Sequence, residues 1–543
     1  MLATAAAALL LPASASAAGG TRVAEFGMDV PGVGVRAASG SLVSPPLRAP
    51  RRYDLLGAEW SRGAASVSIR VRRLGGRWSR WTPLQPSEEP LRRGAAGHGT
   101  EPVWAGGDDL VQVRSSRPLH GLRLSFVNAR VGPAARAARS MSVALPPAAG
   151  GGDLQIAPRS AWGASRCRPR RTATYGRVDF AIVHHTASLN GYSRAASPSV
   201  VLAICLFHRN VNGWDDIGYD FLVDRFGHVF EGRAGGIGEP VLGAQAGGFN
   251  SFSTGVAAIG DFRSRALGAA GMSALSRLLA WKLSLHGVPA KGKTTVPSGG
   301  GPFTPFARGT PVTVNRISGH RDVDSTSCPG NALYAQLPAL RAAVSRLEGP
   351  VSRLVLSAPS PALVYPQALA LSGRLAVAPG VALPAGSAVE IQDRLASGGR
   401  TLATLPLAPD GGFSGSLPLA RSDVLQAAFA GGGGIPRLVS APIAASVAPT
   451  ITLQASTASV PVGGVVSLTG TVSPAKRRVV LVEQRRRGRR FRLVRRFRLR
   501  ARGGAFAATV GLPRAGSFRF TARVPADRLT AAGGSPPVTV SAA

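Results

Sequence analysis

Three residues of this 543-residue chain could together hold a metal ion: His184, His320 and Cys328. His184 closes the apolar run Phe180-Ala181-Ile182-Val183, ahead of His185-Thr186-Ala187, where a β-strand would deliver a side chain to the edge of a sheet. His320 follows Gly319 and opens Arg321-Asp322-Val323-Asp324-Ser325-Thr326-Ser327-Cys328-Pro329-Gly330, which sets Cys328 eight residues further along a loop. Two imidazoles and a thiolate suit zinc, and three protein ligands leave a fourth position for water, as in catalytic rather than structural zinc sites. Taken singly, each residue reads instead as a hydrogen-bonded core histidine or a buried thiol. Asp215, Asp216 and Asp220 form a carboxylate cluster whose expected role is turn and cap hydrogen bonding rather than calcium binding.

The surrounding sequence predicts the elements that would position these residues. Across 153–348, strand-like apolar runs at 178–183, 219–223 and 256–259 alternate with runs at 198–208, 273–286 and 332–347 whose apolar residues recur three and four apart. That alternation predicts an α/β domain with a central, largely buried β-sheet, and an open metal site at the sheet edge would make it the catalytic domain. The stretch 291–308, rich in Gly and Pro, reads as a surface excursion. Residues 21–147 carry short period-two runs, such as 66–72 and 110–114, and predict an N-terminal β-sandwich closed by a Pro- and Gly-rich linker at 146–152. Trp60, Trp78, Trp81 and Trp104 lie there, as sheet core or as an aromatic surface for sugar rings. After Gly349 the pattern repeats: Ala368-Leu369-Ala370-Leu371-Ser372-Gly373 returns as Val465-Val466-Ser467-Leu468-Thr469-Gly470. The repeat predicts two C-terminal immunoglobulin-like β-sandwich modules, 352–447 and 448–543.

Composition narrows the class. With 45% hydrophobic residues the chain is not disordered as a whole, and its length allows three or four domains. It carries 64 basic against 27 acidic residues, a formal charge of +37, and only four of the basic residues are Lys. Such an excess implies an anionic partner: nucleic acid, a membrane surface or a wall polymer. Residues 476–502 concentrate it, with 14 Lys or Arg in 27 positions, and 490–500 alternate Arg with Phe and Leu like a strand with one cationic face. No nucleic-acid fold signature accompanies that stretch, so nucleic acid is not expected; anionic wall polymers or lipid headgroups are. Residues 1–18 resemble a secretory signal peptide, although no basic residue precedes their apolar run. No later stretch is long and apolar enough for a transmembrane helix, so the expected mature protein is secreted or associated with the cell wall.

Residues 159–345 resemble the zinc-dependent N-acetylmuramoyl-L-alanine amidases of the peptidoglycan recognition protein family, in a bacterial multi-domain form. The resemblance is carried by the His-His-Thr-Ala run at 184–187, Gly213 to Val223, Gly227 to Arg233, Gly248-Phe249-Asn250, Gly255-Val256-Ala257 and the 319–330 block, all in order. It implies Zn2+ on His184, His320 and Cys328, with His185 as a neighbour rather than a ligand. It implies catalytic roles for Tyr219 and Thr326, as hydrogen-bond donors to the oxyanion formed when the bond between N-acetylmuramic acid and L-alanine is cut. His208, Arg233 and Asn250 match substrate-binding positions in a groove for peptidoglycan, and Gln245 stands where many relatives carry His. Members that bind peptidoglycan without cutting it generally lack a ligand. All three are present here, so the resemblance implies an enzyme, with a non-catalytic peptidoglycan-binding protein as the alternative. Once Cys328 is assigned to metal, Cys167 and Cys205 remain, and a disulfide between them would tie the opening segment of the domain to its first helix.

Overall fold

The computed structural model describes residues 24–30, 35–36, 40–62, 66–87, 97–129, 143–144, 154–349, 351–395 and 399–543. The expected signal peptide at 1–18 and the linker at 146–152 lie outside them.

Among the described residues the N-terminal strands form one continuous hydrogen-bonded set of nine, not two separate sheets. The reason is the length of two strands, β1 (Leu47–Trp60) and a later partner, which span 14 and 13 residues and belong to both layers. β1 shifts register between Arg48 and Tyr53 and again between Tyr53 and Leu55, which bends it. β2 (Val67–Arg72) pairs with one half of β3 (Val103–Ser115), while β4 (Arg123–Asn128) pairs with β1. Val67 and Ile69 from β2 meet Leu124 and Phe126 from β4 in a single core around Tyr53. Trp60 and Trp104 are buried. Trp78 and Trp81 instead interleave with Arg70, Arg72 and Arg114, whose guanidinium carbons lie 4.7–5.0 Å from the ring centroids.

The central domain has the expected sheet between helices. β5 (Gln155–Ala157), β6 (Phe180–His185), helix α1 (Ser197–Leu206), β7 (Phe221–Val223), β8 (Val229–Glu231), β9 (Ser253–Ala258), α2 (Ala269–Leu285), β10 (Ile317–Gly319) and α3 (Asn331–Glu348) follow in order. The sheet runs β5-β8-β7-β9-β6-β10, with Val143–Ala144 paired antiparallel on the outer edge of β5; within the six only β7 and β8 pair antiparallel, so it is mixed. Ala181, Val183, Val256 and Ala258 face α2 and α3, and Leu222 and Ala257 face α1. The stretch 291–308 contributes one arm of a two-stranded hairpin, Lys293–Pro297 against Pro311–Asn315.

All but one residue of α1 is buried, which a helix with a single partner would not achieve. Its second partner is the N-terminal domain. Phe207, just past α1, packs in one cluster with Leu55, Trp104 and Val127 of the N-terminal strands. A Cβ at Gly57 would lie 2.3 Å from Phe207 Cζ, so β1 can approach the ring only with glycine there. On the other side, Arg394 of the first C-terminal module pairs with Glu239 at 2.9 Å, both side chains largely buried.

Glu348 ends α3 with its carboxylate accepting from Ala290 N–H at 2.8 Å, and burial pushes its pKa up to about 7 from an ordinary 4.5. A carboxyl whose folded pKa is raised favours folding while protonated, so stability should decline as pH rises from about 4.5 through about 7. Glu348→Gln keeps an acceptor without the charge. Its urea-unfolding free energy should therefore lack that decline, and an unchanged pH profile would count against this assignment.

The two C-terminal modules each pair a small sheet with a six-stranded one around its own core. The repeat is structural: Ala368–Ala376 and Val465–Ser473 share one alternation of buried and exposed positions. Gly373 and Gly470 lie opposite Phe413 and Phe506, and each lets that ring cross its strand.

In the second module, β11 (Arg478–Arg487) pairs with β12 (Arg490–Arg500) and β13 (Gly516–Val524). Val479, Leu481 and Glu483 of β11 point inward and are buried. Directly paired residues share a face, so Arg496, Arg498, Arg500, Arg519 and Arg523 lie with Arg478 on the outer face. The module's two acidic residues are held elsewhere, Glu483 by Arg495 and Asp527 by Lys476.

Candidate metal centre

Strand parity decides which histidine of the pair enters the site. Side chains alternate along β6; Ala181 and Val183 face α2 and α3, so His185 follows them and His184 takes the opposite face. β10 runs parallel to β6 with Val183 opposite Gly319, so the next residue of each chain, His184 and His320, emerges side by side. Their ring centroids are 4.4 Å apart. The loop returns Cys328 to them through Arg321, whose N–H donates to Cys328 O at 3.0 Å and whose guanidinium donates to Ser327 O and Asn331 Oδ1.

Cys328 Sγ lies 3.6 Å from His184 Nδ1, and one ligand atom from each of the three residues falls within 4.8 Å of the others. The remaining nitrogens are oriented from outside. His184 Nε2 meets Gln245 Oε1, and His320 Nε2 lies 2.8 Å from Asp324 Oδ2. The His185 backbone N–H donates to Cys328 Sγ at 3.4 Å. Two imidazoles held from behind by an amide and a carboxylate, beside a sulfur stabilised by a backbone donor, fit a zinc ion. The His185 ring is engaged elsewhere, its Nδ1 accepting from Phe262 N–H at 3.2 Å.

The other expected site residues divide. Tyr219 joins the centre, its ring centroid 5.4 Å from His184. Thr326 lies two residues before the ligand, its Oγ1 accepting from Cys328 N–H at 3.0 Å. His208 sits on a π-helical turn, Phe207–Val211, that ends α1, with its centroid 5.7 Å from Tyr219. Arg233 donates to Ile217 O at 3.0 Å, and Asn250 Oδ1 accepts from the backbone of Gln245 and Ala246, so both hold the loops around the site. Asp216 and Asp220 accept from the backbone, from Ala234 N–H and Gly255 N–H at 2.9 Å each, and so tie down a loop and β9. Burial pushes Asp220 up to about 6. Cys167 and Cys205 are joined in a disulfide that excludes Cys328.

Two residues hold the ligands in a role the sequence did not lead us to expect, Asp324 and Gln245, the latter known only as a replacement for the His of many relatives. Gln245 reaches His184 by lying across β9 at Gly255, where a Cβ would meet its Cγ at 2.4 Å. Gln245→Ala should weaken zinc binding roughly 10- to 100-fold, the usual cost of losing the group that orients a ligating imidazole. Competition with a chromophoric chelator measures this; an unchanged affinity would remove Gln245 from the centre.

Residues 174–331 match the family described as N-acetylmuramoyl-L-alanine amidase, and residues 24–145 the family described as Rv3811 N-terminal galactose-binding domain-like. Peptidoglycan-recognition protein SC2 of Drosophila simulans is 31% identical over 184 residues, 34% of this chain and 85% of that protein. The chain belongs to the peptidoglycan recognition protein family. Peptidoglycan recognition protein 1 of Bos taurus is 30% identical over 33% of this chain and 80% of its own length. The mouse N-acetylmuramoyl-L-alanine amidase is 29% identical over 33% of this chain but only 29% of its own length. The solved wild-type Drosophila PGRP-LB is 27% identical, covers 34% of this chain and 91% of that one, and has a TM-score of 0.27. The recognition-protein domain of this chain thus contains the His184, His320 and Cys328 cluster and sits behind a second domain with a family of its own.

Proposed function

We propose that this protein hydrolyses the amide bond between N-acetylmuramic acid and L-alanine in peptidoglycan, with zinc held by His184, His320 and Cys328. The observation that carries this reading is the convergence of three donor atoms, with Gln245 and Asp324 fixing the outer nitrogens of both imidazoles. A zinc ion bound there would supply Lewis acidity to the scissile carbonyl and the attacking water. The chain's own contribution is orientation and charge stabilisation. In this reading Tyr219, beside His184, donates its O–H to the carbonyl oxygen as negative charge develops, and Thr326, whose Oγ1 accepts from Cys328 N–H, gives its own hydroxyl hydrogen as the second donor.

Full-length protein loaded with zinc should release L-alanine amino termini from purified peptidoglycan, and a chelator should stop it. A zinc-loaded protein that binds peptidoglycan and releases none would establish the non-catalytic binder instead.

The Cys167–Cys205 disulfide supports export to an oxidising compartment at the cell envelope. There the outer arginine face of the last module meets its counter-charge, anionic wall polymers in this reading, with lipid headgroups the alternative. Deleting residues 448–543 is expected to weaken salt-sensitive binding to whole walls while sparing turnover of a small muropeptide. Wall binding that persists at low salt after the deletion would refute this role.

A further inference from the structure

Between the N-terminal domain and the loop that carries Cys328 lies a cleft of about 1110 Å³. One wall is N-terminal, with Trp60, Leu84 and His98; the other has Phe303, Pro305 and the 324–327 loop. Ser327 Oγ donates across it to Gln85 Oε1 at 2.7 Å. The cleft also shares a wall with the metal centre, because Asp324, whose carboxylate meets His320 Nε2, lines it.

The lining says what kind of ligand fits. Its one basic side chain is already engaged, Arg321 holding Ser327 O and Asn331 Oδ1, while Asp324 takes His320 and Gly247 N–H through Oδ2 and keeps Oδ1 buried. Among the described residues the cleft therefore offers no uncommitted Lys or Arg to a carboxylate or phosphate. It presents instead His98, exposed and stacked on Trp60 with centroids 5.5 Å apart, and half-buried Phe303 from the recognition-protein domain, with hydroxyls and amides along the lining. Ring faces with neutral hydrogen-bonding groups at their edge match a pyranose, which turns C–H bonds to one side and hydroxyls outward.

The same N-terminal segment reaches the recognition-protein domain at a second point. His208 Nδ1 accepts from Gly218 N–H at 3.1 Å, so Nε2 bears the proton; that atom is buried, lacks a hydrogen-bond partner and lies 3.8 Å from Glu101 Oε2.

We propose that the N-terminal domain forms part of the substrate site, the cleft being a saccharide subsite that holds the glycan strand of peptidoglycan beside the metal centre. This rests on the amidase reading for its substrate but is tested separately from it. Peptide-free N-acetylglucosamine–N-acetylmuramic acid oligosaccharides are titrated calorimetrically into full-length protein and into the opposite-wall variants His98→Ala and Phe303→Ala, with circular dichroism confirming the fold. Wild type should bind, and each variant should bind roughly five- to ten-fold more weakly, the scale of one lost ring contact. With polymeric peptidoglycan each variant should raise KM by a similar factor at unchanged kcat, while turnover of a monomeric muramyl tripeptide stays level. No binding by wild type, or equal affinity in both variants, overturns the subsite. Absence of turnover by wild type overturns the amidase reading, and the titration still decides the cleft.

Discussion

Cys328→Ser should lose its zinc and lower the release of L-alanine amino termini by about a thousand-fold, since several kcal/mol of charge stabilisation depend on the ion and each decade costs about 1.4 kcal/mol. Ser offers a hydroxyl that stays protonated at neutral pH where Cys can offer a thiolate. The rest of the centre should survive, because the loop is held by Arg321 through the Cys328 carbonyl and by Asn331, neither of which needs the sulfur. Zinc content by atomic absorption and an unchanged circular dichroism spectrum separate this outcome from unfolding. His185→Asn is the counterpart. It keeps an acceptor for Phe262 N–H and should retain one zinc per chain. If the two variants behaved alike, the parity of β6 would not be what selects the ligand.

Phe207→Ala should cost about 3–5 kcal/mol, the usual range for emptying a large aromatic site in a core. Phe207 is 1% exposed, and the cavity would open between α1 and the N-terminal strands rather than inside either domain. Calorimetry should show the N-terminal transition separating and moving to lower temperature, and limited proteolysis should degrade the N-terminal domain sooner than in the wild type. Gly57→Ala attacks the same contact from the other side, with a Cβ directed at the ring. A single unshifted transition in both variants would mean that the domains are held elsewhere.

Much of the candidate site was legible because its signals are local. A histidine at the end of an apolar strand, and another eight residues before a cysteine, can be read off the chain. The central sheet, its helices and the 97-residue repeat followed from periodicity for the same reason. Gln245 was not legible, because its role depends on Gly255 of another strand having no side chain and on Asn250 holding the intervening turn. Arg233 and Asn250 carried family positions, yet which carbonyl or amide each meets is a matter of loop closure. The continuity of the N-terminal sheet was hidden too, since the bends of β1 arise from register shifts against a strand some fifty residues away. The double-sided burial of α1 left only an apolar helix in the sequence, and nothing local says how many partners such a helix has.

The shared cluster of Phe207, Leu55, Trp104 and Val127 bears on how such proteins can be rearranged by recombination. The linker at 146–152 looks like a natural breakpoint, and a gene fusion there would preserve every motif of the recognition-protein domain. It would also leave the flank of α1 with a new neighbour that lacks a glycine opposite the Phe207 ring. A recombination that keeps this contact must therefore carry both domains, and a transplanted recognition-protein domain would need its α1 flank rewritten before it could stand alone.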